Sequence, residues 1–371
     1  MKRQALLILP LVLLAAITGI WAGWFRIGWT SHTLAVSGEH GAIMVGCFLG
    51  TLISLERAAA LKNKYIFLIP VLSGSSLLVF LLGFRIEAYL LLIMGSIGYA
   101  GMMAHVLWRF SETHFLLLFA GAVCWLIGNL MLVFWQMYPV AVSWWIAFLL
   151  LTITAEMLEL SRFLPFTLLK RNLLYLALGI YAISLLMPFH GNGRYLSGIG
   201  LVCIALWLLH YDMARKAIKK EGIHRYSGIL LLTGFIWLLA SGLFMLWDDV
   251  YGPLYDTALH AFFIGFVFSM IFAHGPAILP AVLGFSVKPY HPILYMWFVL
   301  LQGSLSLRIT ANFLSAFELR KWAGLLNGIA ILAFFVNMAI LMLIELYKVK
   351  NRAERQKIKI SHPFYKESSA K

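Results

Sequence analysis

Apolar runs of about 20 residues recur along the whole chain, separated by short polar breaks. A bilayer core is roughly 30 Å thick, and about 20 apolar residues in a helix cross it. The runs are continuous rather than alternating, which predicts helices and excludes the strands of a membrane barrel. About twelve spans follow, near 5–26, 35–57, 65–84, 88–108, 114–135, 141–162, 172–189, 195–214, 226–247, 257–283, 291–311 and 322–346. The breaks carry glycine, proline or charge, as in "RIGWTSH", "KNKY", "FRIE", "FHGNGR" and "WDDVYGPLY". None is long enough to fold as a separate domain. The expected organisation is an all-α polytopic membrane domain over residues 1–346 and a basic tail over 347–371.

Composition agrees with this reading. Of 371 residues, 62% are hydrophobic and 12% charged, against roughly 25% charged in a soluble domain. The positive charge is distributed by side. With the N-terminus placed inside, most of the 29 Lys and Arg fall on inner ends, inner loops and the tail. Arg26, Arg85, Arg194, Arg320 and Lys321 fall outside, and Arg308 lies within a span. Both termini are therefore expected in the cytoplasm, and in a bacterium the chain would lie in the inner membrane. The net charge of +14 is explained by topology and a tail near anionic lipid, with no nucleic acid partner needed. The first apolar run is too long for a signal-peptide core and lacks a small-residue cleavage site, so it reads as a retained span. Cys47, Cys124 and Cys203 lie within spans and form no CxxC or CxxCH motif, which argues against disulfides and covalent haem. The chain carries no P-loop, Rossmann glycine pattern or HExxH.

The histidines carry the chemistry. His40 lies about one turn inside the second span and His260 at a matching depth in the tenth, both spans running from outside to inside. Two imidazoles at one level on separate helices can clamp a planar macrocycle, each giving an axial nitrogen to iron. Gly41, Gly46, Gly50, Ala261 and Gly265 would leave room beside them, or would serve helix packing. Glu39 or Asp256 would orient a ring or join Arg26 or His32 around haem propionates, whereas Asp248 and Asp249 read as a wet outer loop. Met44 reads as core packing.

A second layer lies deeper. His274 is 14 residues after His260, about 21 Å further inward by helical rise. His105 and Glu156 come at a similar depth, and the three read as a second metal site, a proton path or a polar packing network. Pro276 and Pro280 kink the same helix, and His274 would serve a freed carbonyl there. Glu159 and Arg162 read as an ion pair near the inner surface. His114, His210, His224 and His291 read as solvent-facing, and His362 lies in the tail.

The segment "LHAFFIGFVFSMIFAHGPAILPAVLG", with "YHPILY" and "LLQGSLSLRI" after it, resembles the C-terminal half of the NnrS family. "EHGAIMVGCFLGTLISLERA" resembles an early helix of that family. The resemblance implies a twelve-span haem- and copper-containing membrane protein linked to nitric oxide metabolism. It places His260, Ala261, Gly265, His274 and Arg308 at family motif positions. More distantly, the plan is similar to subunit I of haem–copper oxidases, in which histidines on the second and tenth helices hold a low-spin haem. His40 and His260 would take those roles. The chain departs from the oxidase in having no histidine in its sixth or seventh span, so reduction of oxygen or nitric oxide by the oxidase mechanism is not expected. From the NnrS pattern it departs at "AHGPA", which replaces the usual basic residue.

The expected function is that of a membrane haem protein of this type. It would hold b-type, non-covalent haem between His40 and His260, with copper as the second metal, in nitric oxide or respiratory redox metabolism. Its partners would be the bilayer and a redox protein. The alternative is a non-haem transporter or structural membrane protein whose intramembrane polar residues line a path.

Overall fold

The computed structural model describes residues 2–29, 36–61, 63–161, 167–247 and 252–361, and every regular element among them is helical. Lipid offers the backbone no hydrogen-bond partners, and a helix satisfies its own. Six helices form the N-terminal half: α1 Lys2–Arg26, α2 His40–Leu61, α3 Lys64–Leu81, α4 Arg85–Phe110, α5 Thr113–Trp135 and α6 Tyr138–Leu160. Six more follow: α7 Leu168–Ser184, α8 Arg194–Tyr211, α9 Gly222–Met245, α10 Pro253–Val282, α11 Leu294–Phe313 and α12 Phe317–Ser361. A four-residue helix, Ala214–Ala217, links α8 to α9.

Among the described residues, ten helices are long and apolar enough to cross a membrane, so the chain is a multi-pass helical membrane bundle. The other two expected spans are helical but fall outside that group. α7 has only 17 residues, and α11 carries Gln302, Arg308 and Asn312. The second span begins later than expected, because the helix opens at His40 itself, with Glu39 just outside it. At the other end α12 runs unbroken to Ser361, so the basic tail starts as an extension of the last helix.

Local chemistry sets several ends. Thr167 accepts a hydrogen bond from Lys170 N at the start of α7, and Pro253 opens α10 after Gly252 at φ +77°. Ser111 and Gln136 take left-handed φ to close α4 and α5. α2 and α10 share a rarer feature. Each is interrupted by a π-helical stretch just after its histidine, Ile43–Gly50 in α2 and Ala261–Val267 in α10. Such stretches recur at functional sites in proteins.

α2 and α10 lie side by side and run the same way. The rings of Phe48 and Phe268 stack at 6.1 Å. Phe48 follows His40 by eight residues, and Phe268 follows His260 by eight. The two helices therefore pack in register although one begins at its histidine and the other seven residues before. Phe335 of α12 meets Phe48 edge-on at 6.1 Å, and Phe334 stacks on Phe272 at 3.7 Å. These phenylalanines form an apolar layer across the middle of the bundle.

The glycines expected to leave room beside the histidines do not do so. Neighbouring helices fill the place a Cβ would take: Tyr138 at Gly41, Leu92 at Gly46, Trp125 at Gly50 and Trp237 at Gly265. Helix association in lipid rests on close van der Waals packing, and small residues permit it. Met44 packs against Gly19 of α1, as expected for a core methionine.

Candidate functional site

The two histidines are held in the same way. His40 Nδ1 lies 2.7 Å from the Gly19 carbonyl of α1, and His260 Nδ1 lies 2.8 Å from the Asp256 carbonyl one turn earlier in α10. A carbonyl can only accept, so in each ring Nδ1 carries a proton, and Nε2 is the nitrogen that a neutral ring would offer to a metal. Neither Nε2 has a hydrogen bond among the described residues. The rings are close enough to interact electrostatically with each other, and His40 also feels Arg26 and Arg308. Gly23 of α1 lies flat against the His40 ring, where a Cβ would come 3.0 Å from Cε1. That glycine fixes the ring plane from behind.

Behind His260 stands a charged clamp. Asp256 Oδ1 lies 3.2 Å from His260 Nδ1 and accepts from Arg308 Nη2 at 2.7 Å. Asp256 Oδ2 accepts from Arg308 Nε and from Asn312 Nδ2, both at 3.1 Å. Asn312 also donates to Thr257 Oγ1 at 2.9 Å. Arg308 is 7% exposed, so this bidentate pair sits where a lone charge would be costly. The i, i+4 spacing of Asp256 and His260 was legible on a helix. The Arg308 and Asn312 partners, on α11, were not.

Glu39 does something other than expected. It does not touch His40. Instead it is buried, accepting hydrogen bonds from the hydroxyls of Tyr89 and Tyr138, with Arg85 Nε 2.7 Å away. It ties α4 and α6 to the start of α2. Arg26 is exposed and makes no ion pair among the described residues. His32, Asp248, Asp249, Arg162 and His362 lie outside the described residues.

The deeper layer is more crowded with charge than the sequence suggested. Glu156 pairs with Arg57 of α2 at 2.8 Å, and Glu159 lies 3.6 Å from the same guanidinium. Arg162, the partner expected for Glu159, lies outside the described residues. Glu56 lies within electrostatic reach of Glu156, Arg57 and Glu159. The Tyr99 hydroxyl is fully buried, has no hydrogen-bond partner among the described residues, and feels Arg57, Glu156 and Glu56. His274 lies beside the backbone of Met270 and within electrostatic reach of Glu156. His105 is separate. It lies on the exposed face of α4 with Trp108 6.2 Å away, and no contact joins it to His274 or Glu156. Among the described residues no three His, Cys, Asp or Glu side chains gather as a metal-binding group. Glu56, Arg57 and Tyr99 were missed as a unit, because adjacent charges at a span end read as ordinary topology signals. His114, expected in solvent, is 8% exposed, with Nδ1 3.4 Å from Glu112. Cys47, Cys124 and Cys203 are free thiols.

The donor chemistry at the His40–His260 pair fits an axial pair of imidazoles. The packing does not supply the glycine-lined plane expected beside it. No curated protein and no solved structure matches the chain. The model of a family described as a domain of unknown function, DUF8744, matches residues 3–343, and the chain therefore belongs to that family.

Proposed function

We propose that the chain is a multi-pass haem protein of the NnrS-like type in which His40 and His260 give the two axial nitrogens to one non-covalent haem. The observation that carries the reading is the matched setting of the two rings: each Nδ1 is engaged by a backbone carbonyl, and neither Nε2 has a hydrogen bond among the described residues. That is how ligating histidines are oriented and kept in the right tautomer. Arg26, close to His40 and without an ion pair among the described residues, suits a propionate. A haem held by two imidazoles supplies one-electron transfer and has no open position for a gas. The reading therefore favours electron transfer, in nitric oxide or respiratory redox metabolism, over direct binding of nitric oxide. It takes the full arrangement to be twelve spans, both termini cytoplasmic, in a bundle like subunit I of haem–copper oxidases. In a bacterium this would be the inner membrane, and a redox protein would be the partner. Glu156 is occupied by Arg57, so the deeper layer is assigned no copper.

The test is the reduced-minus-oxidised visible spectrum of detergent-purified protein from cells supplied with haem. Sharp α and β bands should be present in the wild type and lost in His40→Ala and in His260→Ala. His274→Ala should leave them unchanged. A colourless wild type would sink the haem reading.

A second reading is supported by a separate observation. Three carboxylates, one guanidinium and the Tyr99 hydroxyl, which has no hydrogen-bond partner among the described residues, meet in the deeper layer. Ionisable groups placed within spans mark proton or ion paths. If the protein is colourless, pH-jump uptake by proteoliposomes of the wild type and of Glu156→Gln tests this path directly.

A further inference from the structure

A groove of about 1420 Å³ opens at the end of the bundle where α6 finishes and α7 begins. Its rim is strongly basic. Lys170 and Arg171 come from the start of α7, and Arg215, Lys216 and Lys219 come from the short link between α8 and α9. Arg171, Lys216 and Lys219 make no ion pair among the described residues. The two carboxylates on the rim are already engaged. Glu112 faces His114, and Asp212 accepts from Ala214 N at 2.7 Å.

The rim is built rather than accidental. The link between α8 and α9 folds back onto α9 at Gly228, where a Cβ would come 2.7 Å from the Ile218 nitrogen. Gly222, at φ +61°, makes the turn. At the other side Trp207 Nε1 donates to the Lys170 carbonyl at 2.8 Å, and the Lys170 ammonium lies 5.3 Å over the Tyr211 ring. Two separate segments are thus tied at one level.

Below the rim the wall turns apolar. Leu206 of α8 and Leu232 and Ile236 of α9 line it. Ile236 lies 14 residues into α9, about 21 Å along the helix. Half of a bilayer core is roughly 15 Å, so the wall is long enough to follow an acyl chain. Leu206 and Ile236 are 52% and 56% exposed, which leaves the groove open sideways to lipid.

We propose that this groove holds one anionic diacyl phospholipid, with its phosphate on Arg171, Arg215, Lys216 and Lys219 and an acyl chain along Leu206, Leu232 and Ile236. The charges and the apolar wall are ordered as in a lipid molecule, and basic pockets between spans are known to take anionic headgroups. A free phosphate would use the rim alone and leave the wall without a role.

Native mass spectrometry of the full chain in non-ionic detergent tests the site, with phosphatidylglycerol, phosphatidylcholine and inorganic phosphate as separate probes. The wild type should retain phosphatidylglycerol over phosphatidylcholine. The triple variant Arg215→Ala, Lys216→Ala, Lys219→Ala should weaken that binding on the order of a hundredfold, from about 1 kcal/mol per basic residue. Arg171→Ala, on a different element, should weaken it about fivefold and carries the test if the triple variant does not fold. Ile236→Trp fills the apolar wall with every charge intact, and it should also weaken phosphatidylglycerol. Equal retention of the two lipids, or unchanged binding in Arg171→Ala, overturns the proposal. So does inorganic phosphate that binds as tightly as the lipid and ignores Ile236→Trp, which would assign the rim to a soluble anion.

Discussion

At the scale of single residues, the position of each charge partner decides what a side chain does. Asp256 and Glu39 are both carboxylates beside a histidine, yet only Asp256 touches one. Asp256 also neutralises Arg308, which is 7% exposed. Removing one member of such a pair leaves the other unpaired and typically costs about 3–5 kcal/mol, whereas replacing both with apolar residues costs far less. Asp256→Ala should therefore lower the thermal midpoint in detergent markedly, and Asp256→Ala with Arg308→Met should recover much of it. If the double variant is as unstable as the single one, the pair is not the source of the loss. The i, i+4 spacing made the contact of Asp256 with His260 readable in the sequence. The contact with Arg308 spans 52 positions and two helices, so no local rule could find it.

At the scale of elements, the π-helical stretches after His40 and His260 set where the rings point. A π stretch holds more residues per turn than the α-helix around it. Inserting one alanine between Met270 and Ile271, in the regular helix beyond the stretch Ala261–Val267, should turn His260 by about 100° relative to the rest of α10. His260 would then lose its register against α2 while the helix still inserts. Far-ultraviolet circular dichroism should stay near the wild type, and any cofactor spectrum that depends on His260 should vanish. An unchanged spectrum would show that the facing of His260 is irrelevant to the site. The sequence offered no warning of these stretches, because "HAFFIGFV" is as apolar as any α-helical span.

At the scale of the whole molecule, the bundle separates two polar layers by phenylalanines. Phe48, Phe268, Phe272, Phe334 and Phe335 lie between the His40–His260 pair and the Arg57–Glu156 layer. The deeper layer joins α2, α4, α6 and α10, and Arg57 is the only cation pairing with its carboxylates among the described residues. Arg57→Ala leaves Glu56, Glu156 and Glu159 facing one another, so it should destabilise the bundle by several kcal/mol. Adding Glu156→Gln should restore part of that loss, read as thermal midpoints, and no recovery would mean that Arg57 acts by packing instead.

The amino-acid sequence by itself determined that the chain is a helical membrane bundle, roughly where each helix lies, and that His40 and His260 share a level. Those properties are local, because lipid forces each span to satisfy its own backbone and therefore to be continuously apolar. Only the tertiary structure decided that Tyr138, Leu92, Trp125 and Trp237 fill the glycine faces, that Arg57 of α2 meets Glu156 and Glu159 of α6, and that His105 stands apart from His274. Which helix packs on which is set by close van der Waals fit and by polar pairs between distant segments, and neither leaves a periodic trace along the chain.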